Sequence, residues 1–152
     1  MRLKEINFTL LIWGMPSKEG IEEIKKNNLL ILVPEMRPYL LGLKVAEILK
    51  EEGIESIYAT DNMLGFLFYK NKIKEVLFFY KDKNNNHLLG ICGSLYVCLL
   101  AKLHQVPIRA LKGEKIDFKS LDQDASTIDG HLFFKNSAIE ARDEFVPMEI
   151  IK

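Results

Sequence analysis

Glu35 and Arg37 flank Met36 just before Pro38, where the apolar run Leu29-Leu30-Ile31-Leu32-Val33 ends. A guanidinium at that place offers a planar fork suited to phosphate or carboxylate. The carboxylate beside it either shapes an anion site or simply pairs with the arginine, since structural ion pairs also gather at such edges. Asp82 follows a second apolar run, Val76 to Tyr80. A carboxyl beside a buried strand end can hold its proton and act as an acid/base. Flanked by Lys81 and Lys83, whose positive charges would keep it charged, it reads from spacing alone as a solvated loop aspartate in preference to an acid/base. Asp61 is expected to cap a helix rather than to touch a ligand, and Ser17 has the type and place of another cap. His87 lies in a polar turn, His104 ends an apolar helix, and His131 starts a strand. None has a serine or cysteine that spacing would pair with it. GxGxxG, GxxxxGK[ST] and GxSxG are all absent.

The elements that must carry these residues alternate in type. Leu10–Trp13, Leu29–Val33, Ser56–Ala59, Val76–Tyr80 and Pro107–Leu111 read as short strands. Lacking apolar/polar alternation, they are expected to be covered on both faces, as parallel strands are. Helix patterns separate them. One runs from the Ser17 cap to Lys26, with Glu19 and Glu22 at the positive end of its dipole. A second starts at Pro38 and is stopped by Gly53. A third runs from Asp61 or Asn62 to about Tyr69, and "GSLYVCLLAKLHQV" supplies a fourth. Such alternation predicts an α/β fold, an open, mostly parallel, doubly wound sheet of about six strands with helices on both faces. "HLFFK" (131–135) is the candidate sixth strand, after a polar excursion containing at most a helical turn. Ligands of such sheets bind beyond the carboxyl ends of the strands. That edge collects Ser17, Glu35, Arg37, Asp61, Asp82 and Lys83.

The 152 residues fit one domain with a real core. Lys plus Arg and Asp plus Glu each number 21, and no basic stripe is interleaved with aromatics. Direct nucleic-acid binding is therefore not expected. No apolar stretch approaches the roughly 20 residues of a membrane span, and the amino terminus does not read as a signal peptide. Cys92 and Cys98 lack CxxC spacing and a matching histidine pair, so free thiols in a reducing cytoplasm are the expectation, with no metal and no cofactor.

Several stretches occur in a telling order. They are Glu35-Met36-Arg37-Pro38, Thr60-Asp61-Asn62, Tyr80-Lys81-Asp82, Gly90-Ile91-Cys92-Gly93-Ser94, Ala101-Lys102-Leu103-His104 with Val106-Pro107, and Pro147 to Ile151. The series resembles the C-terminal domain of the initiation factor 2B alpha/beta/delta family, which includes methylthioribose-1-phosphate isomerase and ribose-1,5-bisphosphate isomerase. Family members carry E-[ST]-R-P, T-D-S, G-A-D and N-K-[IL]-G-[ST] at the first four places. The resemblance implies a phosphorylated sugar or nucleotide on this rim, pairing of two copies through this domain, and a helical domain that is not expected here. In the isomerases a cysteine after the first strand works with the G-A-D aspartate. This chain has Gly14-Met15-Pro16 after that strand. Asp82 matches the aspartate, but Tyr80 and Lys81 replace Gly-Ala, and Gly90-Ile91 replaces the Asn-Lys pair.

The expected function is thus a non-catalytic binding or assembly module, homodimeric, open to a protein partner or a phosphorylated small molecule. Arg37, Glu35, Asp61, Ser17 and Lys83 are its candidate ligand-binding residues. The alternative is a sugar-phosphate isomerase with Asp82 as acid/base. A third reading is an unrelated open-sheet domain.

Overall fold

The apolar runs lie side by side as parallel strands. The computed structural model describes residues 2–5, 7–121, 127–128, 131–132 and 143–152. Its central sheet contains β1 (Thr9–Trp13), β2 (Leu30–Pro34), β3 (Ser56–Ala59), β4 (Ile73–Tyr80) and β7 (Ile108–Lys112), in the order β3-β2-β1-β4-β7. Every pairing within it is parallel. Burial follows position. All five residues of β1 are buried, whereas β3 and β7 at the edges are half-exposed. This is the mostly parallel α/β fold that the alternating runs predict.

Helices α1 (Lys18–Lys25), α2 (Leu41–Glu51), α3 (Leu64–Tyr69) and α4 (Ser94–Leu103) connect or follow these strands. In α2, Leu41, Val45 and Leu49 are fully buried, three side chains at helical spacing that turn one face to the core. Val97, Cys98 and Ala101 do the same for α4. The chain reverses its direction of growth at β1, going out to β2 and β3 and then back to β4 on the other flank. The carboxyl ends of β1 and β4 therefore form the point where strand order switches.

Four features differ from the expected elements. Helix α2 begins at Leu41, not Pro38, because Met36 and Leu40 turn through the left-handed region, at φ 56° and 54°. That loop brings the Gly42 N–H onto the Glu35 carbonyl at 3.0 Å. The expected third helix opens with a single 3-10 turn, Asp61–Met63, and the Asp61 side chain does not cap it. A second, antiparallel sheet also follows β4. It contains β5 (Asp82–Lys83), β6 (His87–Ile91) and β10 (Asp143–Pro147), in the order β10-β6-β5, and β10 leads into α5 (Met148–Ile151). Finally, the strand expected at 131–135 does not join the central sheet. His131–Leu132 (β9) pairs with Thr127–Ile128 (β8) in a separate two-stranded ribbon, and residues 133–135 lie outside the described residues.

Candidate functional site

Three of the six candidate residues come together on the carboxyl edge. Glu35, directly after β2, is buried, and its backbone N–H continues the pairing to Ala59 at 2.8 Å. Its carboxylate receives the Asp61 N–H at 3.2 Å on one oxygen and faces Arg37 Nε at 3.2 Å on the other. Asp61 returns the connection. Its two oxygens accept the backbone N–H groups of Met36 at 2.8 Å and of Arg37 at 2.9 Å. The expected helix cap is thus a clasp between the β2 and β3 ends, because the left-handed Met36 turns two amides toward it. Burial pushes the Asp61 carboxyl above its usual value, and Glu35 adds to this, while the two amides and Arg37 pull it down. Arg37 keeps about half of its side chain in solvent, at 49%. A half-exposed ion pair adds only about 0–1 kcal/mol, so the clasp rests mainly on its amide bonds.

The other three candidates lie apart from that clasp. The Ser17 hydroxyl accepts the Gly20 N–H at 3.1 Å and caps α1, as its place in the sequence predicts. Asp82 and Lys83 form the short strand β5. The Asp82 side chain is 74% exposed, accepts the Lys83 N–H at 2.8 Å and stands 3.8 Å from Lys112 Nζ. Its position is that of a solvated carboxylate between cations.

Residues outside the six candidates close the switch point. Trp13 ends β1 and donates its indole N–H to Ser94 Oγ at 3.1 Å, and Ser94 donates onward to the Ile91 carbonyl at 2.6 Å. Gly93, at φ 96°, lies so close to the indole that an added Cβ would come within 2.6 Å of it. Glu144 of β10 accepts the Leu95 N–H in the first turn of α4, where the helix dipole favours a carboxylate. Lys81 forms a short ion pair with Asp143, tying the end of β4 to β10.

The segment after β7 then runs along this edge as far as the β2–α2 loop. Gly113 N–H bonds the Tyr80 carbonyl at 2.8 Å, and Glu114 N–H bonds the Met15 carbonyl at 3.0 Å. Ile116 is buried. The Phe118 ring centroid lies 4.7 Å from that of Tyr39, and Lys81 Nζ stands 4.7 Å from the Phe118 centroid. Met36, Arg37, Tyr39, Ile91, Cys92 and Phe118 surround a residual cavity of about 10 Å³, at most the room of a single water. Burial raises the Cys92 thiol there, with Glu144 and Asp61 adding to the effect. Among the described residues no cluster of three His, Cys, Asp or Glu is placed to hold a metal. No helix among them is long and apolar enough to cross a membrane.

The Initiation factor 2 subunit family model matches residues 19–127. The chain is 32% identical over 96 residues to methylthioribose-1-phosphate isomerase of Leptospira interrogans, an alignment covering 61% of this chain and 26% of that protein. Among solved structures, 5-methylthioribose 1-phosphate isomerase from Pyrococcus horikoshii superposes with a TM-score of 0.69 at 16% identity, over 95% of this chain and 48% of that one. Translation initiation factor eIF-2B subunit delta from A. fulgidus gives 0.67 at 16% identity, over 95% and 50%. The chain thus spans about a quarter of the isomerase it aligns with and about half of each of these solved chains.

Proposed function

Because this chain belongs to the initiation factor 2 subunit family, we propose that it is a non-catalytic binding and assembly module. It pairs with a second copy and holds a phosphorylated small molecule or nucleotide at the carboxyl edge through Arg37. It works in the cytoplasm, without direct contact to nucleic acid or membrane. The observation that carries this reading is the position of Asp82. An acid/base carboxyl is poised by desolvation and by reach to the reacting atom, and Asp82 is largely solvated, with Lys112 beside it. Gly14-Met15-Pro16 follows the first strand, so no thiol stands there to act with it. The pairing surface is the exposed apolar face of α3 and α4, where Phe66, Tyr69, Tyr96, Leu99 and Leu103 meet solvent.

A thermal-shift screen against inorganic phosphate, sugar phosphates and nucleotides, with Arg37→Ala alongside, tests the ligand half. A ligand that binds only the native state adds about 2.7 kcal/mol at a hundredfold its dissociation constant. The expected result is a shift that Arg37→Ala abolishes. No shift with any of these compounds rejects the anion site.

A second reading is a sugar-phosphate isomerase with Asp82 as acid/base. The identity to methylthioribose-1-phosphate isomerase supports it. It predicts turnover of that enzyme's named substrate, lost on Asp82→Asn.

A further inference from the structure

The strap at 113–121 follows the sheet order along the carboxyl edge. It leaves β7, bonds the end of β4 through Tyr80, bonds the chain after β1 through Met15, and reaches the β2–α2 loop at Tyr39. Such a path crosses the switch point where open α/β sheets take their ligands. Its two ends are held differently. The start is pinned by two backbone hydrogen bonds and by Gly113, where a Cβ would come within 2.5 Å of the Met15 carbonyl. The far end is held by Phe118 beside Tyr39 and Lys81, and by a 3-10 turn, Phe118–Ser120, that Asp117 caps at Lys119. With the ring in place, the space beside Arg37 is a water-sized void. The Phe118 side chain is one wall of that void, next to a half-exposed guanidinium.

We propose that residues 113–121 are an intrinsic plug for the carboxyl edge. The Phe118 ring holds the closed state, and the site opens when that ring leaves Tyr39 and Lys81 and the Gly113 and Glu114 amides let go of Tyr80 and Met15. This rests on the anion-site reading above for what the open edge would bind, but the plug itself is a property of the strap. An unbound chain with a closed majority shows weakened affinity in proportion to its open fraction. Phe118 is then the residue that sets how tightly the edge binds, without touching the ligand.

Hydrogen exchange and calorimetry on the full chain test this together, in the wild type, Phe118→Ala and the milder Phe118→Leu. Exchange at the Gly113 and Glu114 amides should accelerate about tenfold or more in Phe118→Ala, less in Phe118→Leu, while Leu77 and Phe78 in β4 stay protected. Affinity for ribose 5-phosphate and for inorganic phosphate should rise about tenfold in Phe118→Ala. Unchanged exchange at Gly113 and Glu114 in both variants overturns the plug, whatever the probes do. Unchanged affinity for a probe that the wild type does bind overturns it too. Faster exchange with neither probe binding any of the three proteins supports a strap that opens, and rejects the anion site instead. If Phe118→Ala fails to fold, Phe118→Leu carries the same readouts.

Discussion

The Asp61 carboxylate receives the backbone N–H of Met36 at 2.8 Å across 25 residues of sequence. It thereby fastens the end of β3 to the loop that carries Arg37. Removing it with Asp61→Ala leaves the Met36 and Arg37 amides without that acceptor. Stability should fall by about 1–3 kcal/mol, read as a lower urea midpoint at constant slope.

The same carboxyl gives a pH dependence with a definite sign. Burial raises its folded-state pKa above the usual 3.8. The folded protein thus holds this proton more firmly than the unfolded chain does. Its contribution to stability falls as pH rises from 3.8 through the raised value. Asp61→Asn has no such titration, so the wild type should lose stability relative to it over that interval. A difference independent of pH contradicts the assignment.

Gly42 fixes how closely α2 approaches β2. A Cβ there would stand 1.8 Å from the Pro34 carbonyl oxygen. Gly42→Ala must displace backbone and should cost about 3 kcal/mol or more. Gly65 in α3 is the control, since its Cβ would meet only the Tyr96 hydroxyl at 3.8 Å. Gly65→Ala should stabilise by about 0.5–1 kcal/mol. Equal effects at the two sites would contradict this packing.

The two thiols should react in order. Cys98 lies on the buried face of α4, and burial pushes its pKa up to about 12. Cys92 is half-buried and shifted less far. The thiolate is the nucleophile, so a soluble disulfide reagent should modify Cys92 slowly and Cys98 only on unfolding. Native-state labelling of Cys98 at the Cys92 rate would contradict the burial.

Self-association through α3 and α4 predicts that sedimentation gives twice the chain's mass. Leu103 is 74% exposed and Phe66 43% exposed on that face. Leu103→Glu and Phe66→Glu should yield monomers with an unchanged circular dichroism spectrum. A wild-type monomer at tens of micromolar would reject the pairing.

The central sheet was legible because its strands are continuous apolar runs, the pattern of strands covered on both faces. Ser17 was legible because an N-cap is a local device. Asp61 was misread for the same reason. Its type and place suggest a cap, but a long-range pair of amides, offered by the left-handed turn at Met36, takes its side chain. The antiparallel sheet was missed because His87–Ile91 and Asp143–Pro147 are short and start 56 positions apart in the sequence. The strap was read as a polar excursion. Only Ile116, Phe118 and Leu121 interrupt its polarity, and nothing local says that the strap reaches back over β1 and Tyr39.

The central claim is that this member of the family binds and assembles without catalysing isomerisation. Phosphorus NMR of 5-methylthioribose 1-phosphate incubated with the purified chain tests it most directly, with Asp82→Asn beside the wild type. The account predicts a spectrum unchanged over hours at stoichiometric protein, identical for both. Conversion to the ketose phosphate by the wild type, lost in Asp82→Asn, would contradict it and make Asp82 a catalytic residue.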